Sequence, residues 1–250
     1  MSWEIKQMKS LHLKASTLLV GLPGIANVGK VAVDFLIDEL KAEKTHEFSS
    51  DSFPHSVFIN EKNLVELPKI ELFHKSVKGR EFLFLGGDVQ PPDEVSCYSF
   101  CREILALCQK NHCADIITLG GIGLQDVPEK PKVYISGNTR KAIDAYKDKQ
   151  VKEELYGVVG PIVGVSGVLL GLAPKETKAV CLLAETYGHP LYLGIKGARE
   201  LVKVLSKRFG FTVRLAKLEK EIAEMEQEIL KRTEQLDAVV QKKGEASYIG

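Results

Sequence analysis

The chain has 250 residues at formal net charge +1, with 34 Lys and Arg against 33 Asp and Glu; 44% are hydrophobic, 27% charged and 7% aromatic. That length and apolar share can bury a sizeable core, so one α/β domain, alone or with an appendage, fits. The near-neutral balance argues against sequence-independent nucleic-acid binding, which depends on phosphate neutralisation, and against a polybasic membrane anchor.

In chain order, Thr17–Val20 reads as a buried strand stopped by Gly21-Leu-Pro-Gly24. Asn27–Lys41 follows with apolar positions at Val28, Val31, Ala32, Phe35, Leu36 and Leu40, the period of an amphipathic helix. Residues 45–80 carry short alternating runs, Ser56–Ile59, Leu64–Leu67 and Lys69–Phe73, which suggest an antiparallel hairpin or edge insertion. Glu81–Leu85 is a second buried strand, ending at Gly86-Gly87-Asp88. Pro92 and Asp93 then open a helix over 93–112, since Pro suits a first turn and Asp a cap. Asp115–Leu119 is a third strand, ending at Gly120-Gly121-Ile122-Gly123, and Val133–Ile135 and Ala179–Ala184 supply two more. Strands bounded by glycine and separated by helices imply βαβ units, hence a mostly parallel sheet with helices on both faces.

Five cysteines in a chain this long do not make a disulfide framework. Met1–Lys9 carries charge where a secretory signal needs an apolar core, and the apolar stretch Val158–Pro174 is broken by glycine and proline. A cytoplasmic location with reduced thiols is the expectation. On the 93–112 helix, Cys97, Cys101, Cys108 and His112 share one face with Ile104 and Leu105. Cys101 and Cys108 would lie roughly 10 Å apart along the axis, too far to share a zinc ion. Cys108 and His112, at i and i+4, have ligand spacing. Small soft core residues facing a sheet are the expected role, and no metal site is assigned.

The composition changes near Gly210. No Gly or Pro occurs from Phe211 to Lys243, and Leu215, Leu218, Ile222, Met225, Ile229, Leu236 and Val239 follow a 3-4 spacing. With charged flanks this is a coiled-coil helix of about 40 Å that would join copies of the chain. The alternative is an amphipathic helix on its own domain, although the stripe is narrower than such a helix carries. The expected organisation is an α/β domain over 1–210, a helix over 211–243 and a flexible docking tail over 244–250.

Three constellations bear on chemistry. Gly24-Ile-Ala-Asn-Val-Gly29-Lys30 matches a phosphate loop up to Val31, where a Ser or Thr hydroxyl should hold magnesium. It therefore reads as a degenerate lookalike, or as a tight strand-to-helix turn, with no cofactor assigned. Asp88 and Glu185 sit at expected carboxyl ends of strands, where open α/β sheets place ligands, and could serve as an acid/base pair. No nucleophile elbow accompanies them, and His189 before Pro190 reads as a surface residue. Last, Ala246-Ser-Tyr-Ile-Gly250 exposes Tyr248 and Ile249 after Gly244, either as a docking peptide or as an ordinary disordered end.

At Leu19-Val-Gly-Leu-Pro-Gly-Ile-Ala-Asn-Val-Gly29 the sequence resembles the archaeal proteasome assembly chaperone family, related to the second eukaryotic proteasome assembly chaperone. Gly86–Asp88 with the Tyr98 helix, Leu119–Gly123, Pro161–Leu170 and Leu182–Thr186 extend the likeness over roughly 15–210. The resemblance implies a nucleoside-phosphorylase-like α/β fold without that activity, homo-oligomers, and ATP-independent action on proteasome α-subunits or the 20S core particle. It also implies a C-terminal hydrophobic-Tyr-any-residue motif whose carboxylate meets a lysine between α-subunits. Here Tyr248 is antepenultimate and follows Ser247, so the anchors are Tyr248, Ile249 and Gly250 with the carboxylate one residue beyond that register. Weak tails would then act by avidity in an oligomer. The runner-up is an enzyme of phosphorylase or hydrolase type at the glycine-rich rim.

The net charge of +1 conceals a segregation. Residues 196–217 carry seven bases and one acid, and 219–228 carry five acids and one base. Such blocks can pair between copies in an offset or antiparallel register, or form a solvated face.

Overall fold

A computed structural model of the chain describes residues 3–11, 13–153, 160–190, 192–220 and 222–224. The residues through Val213 form one compact unit, and those from Arg214 a second. In the first unit the chain runs β1 (Glu4–Gln7), β2 (Ser16–Val20), a 3-10 turn (Ile25–Asn27), α1 (Val28–Leu40), β3 (Glu43–Ser49), β4 (Phe58–Ile59), β5 (Val65–Glu66), β6 (Ile70–Val77) and β7 (Arg80–Gly87). It continues through α2 (Glu94–Lys110), β8 (Cys113–Leu124), β9 (Val133–Gly137), α3 (Arg140–Tyr146), β10 (Val151–Lys152), α4 (Val165–Leu172), β11 (Lys178–Tyr187) and α5 (Ile195–Phe209).

One nine-stranded sheet has the order β1-β3-β6-β7-β2-β8-β11-β9-β10. Its centre, β7-β2-β8-β11, is parallel, as glycine-ended apolar runs predict. Residues 43–77 supply antiparallel strands β3 and β6 to one flank, and β9 runs antiparallel to β11 on the other. Between β3 and β6 the chain leaves the sheet to make the separate hairpin of β4 and β5.

Alternate residues of the central strands face opposite layers. Leu18, Val20, Leu83, Leu85, Ile116, Cys181 and Leu183 pack with Phe100, Ile104 and Leu169, from α2 and α4. On the opposite face, Phe82 meets Phe209 at the end of α5 edge-on, with ring centroids 5.0 Å apart. α1 lies beside α5. Cys97, Cys101 and Cys108 are core residues of the α2 layer. His112 departs from the expected helix face. α2 ends at Lys110, Asn111 caps it, and His112 is exposed with φ +50°, so it cannot share a ligand set with Cys108 at helical spacing. Cys113 instead lies beside Ser16, with Sγ 2.9 Å from Oγ. Hydrogen bonding to Cys108 is the main influence lowering the Cys113 thiol below its ordinary value, while burial alone would raise it.

Two glycines set how closely α1 approaches the sheet. A Cβ on Gly21 would stand 2.1 Å from the Gly29 carbonyl oxygen, and one on Gly29 would stand 2.2 Å from the Leu119 carbonyl oxygen. The first turn of α1 thus rests on β8 backbone to backbone.

In the second unit, residues 216–220 and 222–224 are helical; Leu218 and Ile222 of the apolar seam lie in these two stretches, with Leu215 just before the first. Met225, Ile229, Leu236, Val239 and the tail residues Tyr248, Ile249 and Gly250 lie outside the described residues. Among the described residues no helix is long and apolar enough to cross a membrane.

Two glycine substitutions should move stability in opposite directions. Gly29→Ala has only backbone to push against and should cost about 3 kcal/mol. Gly171→Ala, in α4 with nothing within 4 Å of the added carbon, should gain about 0.5–1 kcal/mol. Urea unfolding midpoints of the two variants against the parent give both values.

Candidate functional site

β2 and β8 are neighbours whose connections diverge. The chain leaves β2 through α1 towards β3 and β6 on one flank, whereas it leaves β8 towards β9 and β11 on the other. Such a divergence opens a crevice at the carboxyl ends of the strands. Here it holds a cavity of about 840 Å³, lined by the 22–25 turn, Leu119–Gly123 of β8, Gln90, Ser136, residues 160–163, Ser166 and Leu183. The walls are mostly aliphatic, and Ile25 and Val163 stand exposed at 51% and 81% of their surface.

The turn that forms one wall has an uncommon backbone. Ala26 and Asn27 are both left-handed, with φ +48° and +52°, at a cost of about 1–2 kcal/mol each for residues bearing a Cβ. Packing on two sides holds them there. Gly194 N–H donates to the Ala26 carbonyl at 2.7 Å. A Cβ on Gly121 would come within 2.7 Å of the Ile25 carbonyl oxygen, and one on Gly194 within 2.4 Å of Val28 Cγ2. Gly24 is different: its nearest neighbour would be the Leu22 carbonyl oxygen at 4.0 Å, and it lines the cavity.

This geometry is poorly suited to wrapping phosphate. Asn27 N–H is already donated to the Gly24 carbonyl at 3.0 Å. Lys30 turns along α1 to Asp34, with Nζ 2.8 Å from Oδ2, rather than over the loop. Burial pushes the Asp34 carboxyl above its ordinary value against the opposing pull of Lys30. Gly24, Gly29 and Lys30 are therefore brought together as the entrance to a helix, with both glycines on the cavity wall and Gly29 also packed closely on β8.

Asp88 and Glu185 are not brought together. Asp88 follows β7 and Glu185 lies in β11, with β2 and β8 between them, about 14 Å across three strand spacings. The Asp88 carboxylate accepts from Lys69 N–H at 3.3 Å, closing the end of the β6–β7 ladder. Glu185 is 3% exposed and accepts from Lys132 N–H at 2.9 Å and from the Tyr134 hydroxyl at 3.0 Å. Neither carboxylate lines the cavity. His189 is exposed and stacks on Tyr187, with ring centroids 5.6 Å apart.

The polar groups that do line it were not evident from the sequence. Gln90 spans the wall: its Nε2 donates to the Pro23 carbonyl at 2.8 Å, and its Oε1 accepts from Val165 N–H, at the start of α4, at 3.3 Å. Glu153 is ion-paired to Lys147 and to Arg140, 2.7 Å away, and both cations hold its carboxyl below its ordinary value. The only signal for Gln90 was its place just after a strand's carboxyl end; Glu153 carried none. Among the described residues no three His, Cys, Asp or Glu side chains gather as a metal site would require. An apolar recess with the oriented Gln90 amide and the ion-paired Glu153 carboxylate on its wall is suited to holding an apolar group.

Gln90→Ala removes both bonds of this clamp and leaves Pro23 C=O and Val165 N–H without their side-chain partner, so it should cost about 2 kcal/mol. A thermal melt gives the loss; an unchanged midpoint would mean that the turn and α4 hold their places independently of Gln90.

The profile of the PAC2 family matches residues 18–232. An uncharacterized protein of Methanocaldococcus jannaschii, MJ1210, is 27% identical over 220 residues, 88% of this chain and 83% of its own. Among solved structures, Pyrococcus furiosus PbaB, described as an archaeal proteasome activator, is similar with TM-score 0.82 and 29% identity, over 93% of this chain and 98% of its own. PbaA of the same organism, described as an archaeal homolog of proteasome-assembly chaperone, shares the fold with TM-score 0.76 at 23% identity, over 98% of this chain and 99% of its own.

Proposed function

The chain belongs to the PAC2 family, and on that premise we propose that it is a proteasome assembly chaperone or proteasome-binding factor. It acts in the cytoplasm as an ATP-independent homo-oligomer on proteasome α-subunits or the assembled 20S core particle. The observation that carries this reading is the end-to-end likeness to PbaB in both sequence and fold. The placement of the glycine-rich turn supports it. Those residues are used to seat α1 on the sheet, and Lys30 is engaged by Asp34, so the turn has no evident call on nucleotide.

In this reading the α/β body over 1–210 supplies the contact surface, and the helix over 211–243 joins copies through its apolar seam. The tail over 244–250 offers Tyr248 and Ile249 as anchors for a pocket on the partner, several weak tails acting by avidity. The alternative is a phosphorylase or hydrolase on a nucleoside-phosphorylase-like scaffold. The cavity at the strand ends is in its favour, but two strands separate Asp88 from Glu185 and both carboxylates serve backbone or buried partners. A reaction there would have to use other groups.

Capture of purified archaeal α-subunits on the immobilised chain tests the proposal. The full chain should retain α-subunit equally with and without MgATP, and removal of residues 246–250 should lower recovery several-fold. Failure of the full chain to retain any α-subunit would contradict the proposal; undiminished recovery by the shortened chain would take the tail out of it.

A further inference from the structure

We propose that the β4–β5 hairpin is a self-association surface that seats against a second copy of this chain across a two-fold axis, independently of the C-terminal seam. The hairpin is held in a defined shape, yet most of its apolar surface is exposed. Asn60 Oδ1 accepts from Lys62 N–H at 2.9 Å and Leu64 N–H at 3.0 Å, while Asn60 N–H donates to the Leu64 carbonyl at 2.9 Å. Asn60 Nδ2 also donates to the Glu66 carboxylate at 2.6 Å, and Asn63 takes the left-handed turn position at φ +59°. The turn is thereby fixed in shape. Its two-residue ladder pairs β4 with β5, and neither strand joins the main sheet.

A two-stranded hairpin without an apolar face against something else is marginal in water. Here six large apolar side chains face solvent: Val57 at 52% of its surface, Phe58 at 44%, Ile59 at 72%, Leu64 at 60%, Val65 at 68% and Leu67 at 76%. Alternation sets Ile59 and Val65, with Val57 and Leu67, on one face and Phe58 and Leu64 on the other. With on the order of 150 Å² for each residue, the four amount to roughly 400 Å² of apolar surface on one face, within the range of the largest patch a monomer exposes. That is about the apolar share of one side of an ordinary interface, which buries about 800 Å² per partner.

The composition of the patch favours a copy of itself as the occupant. Its only ionisable side chains are Glu61, Lys62 and Glu66, and Glu66 is tied to Asn60 and lies 3.5 Å from Lys69. The patch therefore selects no strongly charged partner and pays little repulsion against its own image. A two-fold axis sets apolar side chains on apolar side chains and the free edge of one strand against its equivalent. At the hairpin's base a groove of about 730 Å³, walled by Phe53, Val57 and Leu67 together with Glu4, Asp51 and His55, gives each copy a recess beside its own projection, with polar groups at its rim.

The test uses the full chain with Ile59→Glu and Val65→Glu together, which set four carboxylates against one another across the axis. Light scattering over a range of concentrations should show the mass falling by a factor of two wherever the parent is associated, with an unchanged circular dichroism spectrum. A second variant, Ile59→Cys, should give a covalent dimer with a short bismaleimide under native conditions, and the parent should not. A monomeric parent, or a double variant of unchanged mass without a crosslink at position 59, would overturn the proposal. Unchanged mass with lost capture of α-subunits would assign the hairpin to that partner and overturn it equally.

Discussion

Close backbone contact at the entrance to α1 is the constraint on which the rest of the molecule depends. The chain leaves β2, passes through two left-handed residues and starts a helix in a space too small for a single Cβ at Gly21 or Gly29. That contact fixes the height of α1 above β8, and α1 in turn meets α5. On the other side of the turn, Gly194 at the start of α5 donates to Ala26. The left-handed pair persists because both neighbours hold it, since isolated residues of this kind would relax. The cavity exists for the same reason: a turn pressed onto β8 leaves Gly24 and Ile25 standing at the strand ends, with Gln90 bridging to α4.

A phosphate loop and this turn share a sequence pattern because both need glycine where a strand becomes a helix. They differ in what the glycines admit. A phosphate loop keeps its N–H groups for an anion, whereas here the space at Gly29 is occupied by the Leu119 carbonyl and Asn27 N–H is spent within the turn. One lysine distinguishes the cases most simply, since Lys30 neutralises Asp34 on its own helix.

Local pattern was enough to locate the central strands and the first two helices, because apolar runs ended by glycine and a 3.6-residue period are both local signals. The resemblance carried by Leu19–Gly29 extended that reading to the family. Strand order is not local, so no sequence signal separates Asp88 from Glu185 by β2 and β8. Glu185 is buried because β9 runs antiparallel beside β11 and brings Lys132 and Tyr134 to it, a register that no spacing encodes. His112 was misplaced for a smaller reason: a helix continued by periodicity alone ignores a C-cap at Asn111 and a left-handed residue after it. α5 was hidden under its basic surface, although its buried Leu201, Val202 and Leu205 follow a helical spacing. The β4–β5 hairpin was legible as alternating runs, but its exposure was not, since alternation normally marks a strand with one buried face.

On the proposed reading the chain binds other proteins, and the glycines at the entrance to α1 are committed to packing. Sedimentation velocity of the fluorescently labelled full chain mixed with archaeal 20S core particle, in buffer without nucleotide, tests that claim most directly. A saturable fraction of the label should move with the core particle at micromolar concentration. Label that sediments at the rate of the free chain at every concentration of core particle would contradict it.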